Sequence, residues 1–323
     1  MKVRQFAEGC DVAQALLVRD VQRHQRRDGR EFLRLTVGDR TGSVAAIVSD
    51  RVEEAHELCR PGRVVHLSAS YSVHVRFGPE LVVRSIRTAD AHEYVRDDLI
   101  DGPIRNAEQM ECDLRELIAT VQERHLRRLL ELVFGESSPT WLRYRDAPAA
   151  KRYHQAYRHG LLEHSLTVAQ AVGAISATFP GIDRDVAVTG ALLHDIGKLE
   201  AYELNDDAIS MSDPGRLYGE IPLGYYRVRR EIEQLDGFPP GLEQALLHII
   251  LSHHGSLEHG SPVIPCTREA TLVHMIDNLG GRLGSFDRLE RELPSGAQWS
   301  TYDKGIGGGA YFATAPLQER RAA

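Results

Sequence analysis

Hydrophobic and polar positions follow two different rhythms along this chain. Over the first ninety residues the apolar positions come in short runs separated by turn residues. Leu16-Leu17-Val18 ends at Arg19-Asp20, and the polar turn Gln25-Arg26-Arg27-Asp28-Gly29 follows. Phe32, Leu33, Leu35 and Val37 then predict a strand that meets Gly38-Asp39-Arg40-Thr41-Gly42. Val44-Ala45-Ala46-Ile47-Val48 predicts the next, and a short polar helical piece over 50–58 leads to Pro61-Gly62. Val64-Val65-His66-Leu67 and Leu81-Val82-Val83 are two further strands, parted by Phe77-Gly78-Pro79. Short strands bounded by turn residues predict a small barrel or sandwich. One helix inserted among about five strands is the layout of an OB barrel. Residues 1–90 are therefore expected to form an all-β, OB-fold-like domain.

Beyond residue 90 the apolar positions recur at three- and four-residue steps, as one face of a helix requires. Leu114, Leu117, Ile118, Val121, Leu126, Leu129, Leu130 and Val133 follow this pattern until Gly135-Glu136-Ser137-Ser138-Pro139 breaks it. Residues 91–150 are expected to be a helical linker. Residues 151–300 are expected to be an all-α bundle. Leu161, Leu162, Leu166, Ala169, Val172 and Ile175 mark one helix, ended by Pro180-Gly181. Asp185 to Leu193 marks another, with Asp183 or Asp185 as its N-cap. Leu242 to Leu251 and Ala270 to Leu279 mark two more. The remainder, 301–323, holds Gly305, Gly307, Gly308 and Gly309 and is expected to be an irregular Gly-rich tail.

Composition bounds the partners. With 323 residues, 42% of them hydrophobic, the chain can build two modest cores. No stretch approaches the roughly 18 continuous apolar residues of a membrane span, and the N-terminus lacks a signal-type apolar region. No membrane association and no export are expected. The four cysteines are far apart and none forms a CxxC pair, which argues against a zinc ribbon, a redox motif or a disulfide framework. A cytoplasmic setting fits them. The net charge of -7 is uneven: residues 1–88 carry 15 Lys and Arg against 11 Asp and Glu. A mildly basic front on an acidic body points weakly to a polyanion partner.

The second half carries the candidate chemistry. His164 lies in Leu161-Leu162-Glu163-His164-Ser165-Leu166, and His194-Asp195 in Leu192-Leu193-His194-Asp195-Ile196-Gly197-Lys198. His253-His254 lies in Leu251-Ser252-His253-His254-Gly255, and Asp277 in His274-Met275-Ile276-Asp277-Asn278. Each sits within, or at the end of, an apolar helical segment. Burying such groups is costly unless they are paired or bound to a metal. Four helices that offer them together suggest a shared cation in a bundle interior. Adjacent helical residues point about 100° apart. His194 and Asp195 can both reach one cluster if it lies off the helix end, where Asp195 could bridge two ions and Gly197 would let the chain open. Taken singly, each group has a plainer role. His164 could be a satisfied core histidine, and His253-His254 a helix C-cap with Gly255 as its left-handed residue. Asp277 could pair with Arg282. It is the ordered set that argues for a metal.

The order His164, His194-Asp195, Asp277 resembles the HD-domain phosphohydrolase superfamily. With an OB-like front the whole layout, over roughly residues 12–300, is similar to the YhaM-type 3′-5′ exoribonucleases. The most specific stretches run from Ala149-Ala150-Lys151 to Leu166 and from Leu193 to Lys198. Leu251 to Gly255, with Gly260-Ser261-Pro262 following, and Ile276-Asp277-Asn278-Leu279 complete them. The resemblance implies His164, His194, Asp195 and Asp277 as metal ligands, joined by one or both of His253 and His254. It implies that Asp195 is catalytic, that Lys198 lies near the scissile phosphate, and that His154 helps place substrate. One position departs from the family, where a Gly-His-Ile segment is usual and this chain has Gly219-Glu220-Ile221. Glu220 can ligate a hard cation through oxygen or be a surface residue with no role. It bears on whether one or two ions bind. Mn²⁺ or Mg²⁺ suits mixed imidazole and carboxylate ligands, and Zn²⁺ or iron is compatible with them.

The implied activity is metal-dependent 3′-5′ hydrolysis of single-stranded RNA to nucleoside monophosphates, with the choice between RNA and DNA left open. Single strands are held by positive grooves and aromatic faces. Arg19, Arg23, Arg26, Arg27, Arg30, Arg34, Arg76 and Arg84 are candidates for the charge, and Phe32, Tyr71 and Phe77 for stacking. The alternative is that the arginines are a solvated face and the rings fill the barrel. Two rival functions remain at this stage. One is a hydrolase of small nucleotides or cyclic dinucleotides, and the other a nucleic-acid-binding protein with a decayed HD site. The sequence leaves room for a homo-oligomer.

Overall fold

The computed structural model describes residues 1–26, 29–74, 78–100, 102–103, 105–151, 155–205, 208–293 and 297–313. Arg27, Arg76, Phe77 and His154 lie outside the described residues. The chain divides into two compact units. The first comprises Met1–Asp101, Asn205–Ala208 and Phe286–Ala323, and the second Gly102–Leu204 and Ile209–Ser285.

The first unit is built on five strands and one inserted helix. These are β1 (Asp11–Gln25), β2 (Glu31–Asp39), β3 (Gly42–Val48), α1 (Val52–Leu58), β4 (Val64–His74) and β5 (Gly78–Thr88). They close into a barrel in the order β1-β2-β3-β5-β4, in which only the β3–β5 pairing is parallel. This is the OB-like barrel expected from the sequence. β2 shows why it forms. Leu33, Leu35 and Val37 are fully buried, while Phe32, Arg34 and Thr36 alternate with them on the outer face. The inward residues join Leu16, Val18, Val65, Leu67 and Leu81 in one core.

β1 does not end at Arg19-Asp20, as its apolar pattern suggested. Its register shifts between Val18 and Asp20, and the strand continues to Gln25. The bulge lets one strand serve two partners, β4 through Leu17 and β2 from Leu17 onward. The polar residues after the bulge are held by the ladder to β2 rather than by burial.

The second unit is helical. Its elements are α2 (Ala107–Ala119), α3 (Arg124–Phe134), α4 (Pro139–Asp146), α5 (Gly160–Ser176), α6 (Arg184–Leu193) and α7 (Lys198–Ala201). A two-stranded sheet, β6 (Tyr202–Asn205) and β7 (Ala208–Met211), follows. Then come α8 (Asp213–Tyr218), α9 (Glu220–Glu233), α10 (Pro240–Ser252) and α11 (Arg268–Glu292). Leu114, Leu129, Phe134 and Trp141 share a single core with Leu161, Leu166, Leu192, Ile249 and Val273. The helices expected to be a linker are therefore part of the bundle. The N-cap of α6 is Asp183, which accepts from the N–H groups of Asp185 and Val186. Asp185 instead receives the N–H groups of Gln122 and Glu123, at 2.7 and 2.8 Å, and ties the α2–α3 turn to α6.

The Gly-rich C-terminal segment is more ordered than its composition suggested. Over 297–313 it folds back on itself through the bridges Trp299↔Tyr311 and Asp303↔Gly308. Asp303 pairs with Arg288 and accepts the N–H of Gly305 at 2.8 Å, while Gly307 takes a positive φ of 72° in the turn. Trp299 is 63% exposed there, whereas Trp141 is 3% exposed in the helical core. Among the described residues no helix is long and apolar enough to cross a membrane.

Candidate metal centre

Four segments of the helical unit bring their polar groups to one place. α5 carries His164 in its second turn. α6 stops at Leu193, and His194 caps it before the chain turns through Asp195 into α7. α10 stops at Ser252, with His253 as its cap and His254 next. α11 carries Asp277. The His-Asp pair thus lies off a helix end, which lets both neighbours address one cluster.

Two glycines shape these turns, for different reasons. Gly255 has a φ of +83°, and its N–H closes the end of α10 on Ser252 O at 2.8 Å. A Cβ on it would overlap the ring of His274, whose Nδ1 donates to His253 O at 2.7 Å. Gly197 is not a flexible opening as expected, for its φ of -66° is ordinary helical backbone. Its role is close approach. A Cβ at Gly197 would stand 2.0 Å from the carbonyl oxygen of Glu220 and 2.4 Å from Gly224 N. Glycine at this position lets the first turn of α9 abut the His-Asp turn.

His164 Nε2 lies 3.2 Å from His194 Nε2, 3.2 Å from Asp195 Oδ2 and 3.1 Å from Asp277 Oδ1. His194 Nε2 lies 3.3 Å from Asp195 Oδ2. The other oxygen, Asp195 Oδ1, lies 3.6 Å from His253 Nε2. Asp195 therefore turns one oxygen to each side of the cluster. Three overlapping groups have ligand atoms within 4.8 Å of one another: His164-His194-Asp195, His194-His253-Asp277 and Asp195-His253-His254. His164, His194, Asp195 and His253 are each no more than 3% exposed.

The histidines are oriented alike. His194 Nδ1 donates to Ala191 O at 2.7 Å, His253 Nδ1 to Ile250 O at 2.8 Å, and His254 Nδ1 to His259 O at 2.9 Å. His164 Nδ1 faces Gln155 Oε1 at 3.1 Å. Carbonyl oxygens only accept, so each Nδ1 carries a hydrogen, and in the neutral ring each Nε2 offers a lone pair. Two such lone pairs, on His164 and His194, then face each other at 3.2 Å in a buried space. Asp195 Oδ1 and His253 Nε2 are buried with no hydrogen-bond partner among the described residues. Only a cation, a proton or a metal ion, reconciles these acceptors, and their imidazole and carboxylate chemistry fits a divalent ion.

The electrostatics agree. Burial works against charge on His194, but Asp195 and Asp277 outweigh it and raise its pKa to about 10. Despite burial, Lys198 and the histidines hold Asp195 well below the usual carboxylate range. His164 and His194 do the same for Asp277 against its own burial. Burial and the adjacent His253 hold His254 below the ordinary histidine value. Without a metal, the cluster keeps ionised carboxylates and a proton on His194.

The remaining expected site residues fall at varied distances from this centre. Lys198 Nζ binds Asp195 Oδ2 at 2.6 Å, and this attraction overcomes burial and raises the Lys198 pKa. Glu220 is the first residue of α9 and is absent from the three ligand groups among the described residues. Its charge acts on Lys198, Tyr202 and His254. The sequence reading overlooked two residues. His274 stands three before Asp277 on the same helix face, a spacing that was visible. Gln155 sits in a polar loop and gave no signal.

On the barrel, Arg19 donates to Asp39 O at 2.8 Å, and Tyr71 packs edge-on against Phe6 at a ring distance of 5.8 Å. Both serve the barrel itself. Arg23 pairs with Glu31 and Glu53, and Arg84 with Asp11. Phe32 remains on the outer face, with Arg26 5.5 Å over its ring and His24 stacked on it at 5.3 Å. Arg34 shares that face of β2 and stands opposite Ile47 of β3.

Comparison with known proteins gives one family model, the HD domain, matching residues 161–281. Curated relatives named 3′-5′ exoribonuclease YhaM match nearly the whole chain. The protein from Geobacillus sp. (strain WCH70) is 30% identical over 293 residues, covering 90% of this chain and 88% of the relative. That from Bacillus subtilis (strain 168) is 30% identical over 292 residues, covering 88% and 90%. That from Shouchella clausii (strain KSM-K16) is 26% identical over 296 residues, covering 90% of each.

Proposed function

This chain belongs to the YhaM family of 3′-5′ exoribonucleases, and we propose that it shortens single-stranded RNA from the 3′ end by divalent-cation-dependent hydrolysis, releasing nucleoside monophosphates. The observation that carries this is the buried convergence of His164, His194, Asp195, His253 and Asp277, whose nitrogen and oxygen ligand atoms gather within 4.8 Å of one another in overlapping groups. His164, His194, Asp195 and Asp277 would hold one cation, and Asp195, His253 and His254 a second. Bound there, such ions acidify water and neutralise charge on phosphoryl oxygens.

The protein's own groups supply the rest. Asp195 offers one oxygen to each half of the cluster. Lys198 keeps a positive charge against the same carboxylate, where an anionic phosphodiester would otherwise meet a wall of negative charge. Glu220 adds an acidic neighbour, and His154 is assigned to substrate placement by the resemblance alone. Mn²⁺ or Mg²⁺ is the preferred ion. On the barrel, Phe32 with Arg26 and Arg34 offers a ring and two guanidinium groups on the β2–β3 face, suited to a single strand of RNA or DNA. The four free cysteines fit a reducing cytoplasm.

A 5′-labelled RNA oligomer incubated with the protein and Mn²⁺ is expected to give a ladder that shrinks from the 3′ end. Asp195→Ala is expected to lower the rate on the order of a thousandfold while oligomer binding persists. Cleavage that survives Asp195→Ala would overturn the assignment of the site. Turnover of mononucleotides with oligomers left intact would replace this function with that of a small-nucleotide hydrolase.

A further inference from the structure

We propose that Gln155 is a positioning residue of this centre: its side-chain amide, aimed by Glu163, fixes the ring and tautomer of His164. The inference rests on His164 being a metal ligand.

The need for such a residue follows from where the histidines sit. His194 and His253 cap the C-terminal ends of α6 and α10. The last carbonyls of a helix have no intrahelical partner, so Ala191 O and Ile250 O are free to accept the ring N–H groups. His164 lies inside α5, where the carbonyls one turn back are engaged by the helix itself. It must take an acceptor from elsewhere. Glu163 is adjacent, but neighbouring helical side chains point about 100° apart and do not face each other. Gln155, in the loop before α5, spans the gap.

The direction of the amide is determined by its other end. Glu163 Oε2 receives the Tyr157 hydroxyl and the Gln155 Nε2 amine, the latter at 3.5 Å. Glu163 Oε2 already accepts from the Tyr157 hydroxyl, so it is the nitrogen of the amide that faces this oxygen. Gln155 Oε1 is then left facing His164 Nδ1 at 3.1 Å. That oxygen also only accepts, so Nδ1 keeps its hydrogen and Nε2 presents its lone pair to the cluster. Swapping the amide would oppose oxygen to oxygen at the Glu163 end.

The backbone supports the assignment independently. Gln155 has a φ of +54°, a conformation glycine adopts far more readily. Two contacts keep it there. Its carbonyl accepts the N–H of Ala149 at 3.1 Å, and Gly160 packs directly on that oxygen, where a Cβ would stand 2.0 Å away. A glutamine held in a strained backbone at a buried cluster indicates that its side chain is in use.

The test measures Mn²⁺ affinity of the full-length, metal-stripped protein by the EPR signal of free Mn²⁺, beside its melting temperature. Gln155→Gly removes the amide and relieves the backbone. It is expected to weaken Mn²⁺ binding about ten- to a hundredfold while the metal-free melting temperature stays level or rises. Excess Mn²⁺ should restore kcat. Gln155→Leu should show the same loss of affinity, and Glu163→Gln a smaller one. Gln155→Leu with Glu163→Gln should bind no worse than Gln155→Leu alone, because Glu163 acts through the amide. Wild-type affinity in Gln155→Gly, or additive losses in the double variant, would overturn the proposal. The outcome is separable from the exonuclease assignment: a wild type that binds Mn²⁺ but leaves RNA intact sinks that function and leaves this role standing.

Discussion

His194 binds its proton more tightly in the folded protein than in the unfolded chain. Its pKa rises on folding from 6.5 to about 10, against the cost of burial, because Asp195 and Asp277 face it. A histidine raised in this way stabilises the fold fully below its unfolded value, and that contribution fades as pH climbs through the folded one. Asp195 and Asp277 work in the opposite sense, stabilising the fold above the usual carboxylate range and losing this as pH falls. Metal-stripped protein is therefore expected to lose thermal stability between about pH 6.5 and 10, and again in acid. Melting curves across that range check it, and a flat alkaline limb would contradict it. The residues of the cluster were legible beforehand because each is a costly polar group in an apolar helix. Gln155 was not, because a glutamine in a polar loop looks like any solvated side chain until the loop's backbone is known.

At the scale of elements, the turn between α6 and α7 depends on what presses against it. Gly197→Ala would drive a methyl group into the first turn of α9, where Glu220 O would lie 2.0 Å away. Overpacking of this kind costs about 1–3 kcal/mol. The variant is expected to melt lower and to bind Mn²⁺ more weakly, since the turn that carries His194 and Asp195 must move. Unchanged melting and metal binding would show that α9 yields freely. The barrel strands and the long helices α5, α6 and α10 were readable from their apolar period. The bulge that carries β1 on to Gln25 was not, because that half of the strand is held by ladder hydrogen bonds and buries little. The short helix α8 and the sheet β6–β7 were missed for a similar reason: few of their residues are buried, so the apolar pattern is faint.

For the whole molecule, the boundary between units is where the sequence was least informative. Apolar rhythm divides the chain near residue 90, but packing places α2 to α4 in the unit of the His-Asp cluster and returns Phe286–Ala323 to the unit of the barrel. Such returns depend on long-range contacts that no local pattern records. One consequence concerns light. The chain has two tryptophans, and each unit holds one. Trp141 lies in the helical core, 6.2 Å from the Phe134 ring, and Trp299 stands 63% exposed beside Tyr311. Their emission should resolve into a blue component shielded from iodide and a red component quenched by it, with Trp299→Phe removing only the red. If iodide quenched both equally, the burial described for Trp141 would be wrong. Followed at two wavelengths during denaturation, the native protein would report the opening of its helical unit and of its barrel unit separately, with no label attached.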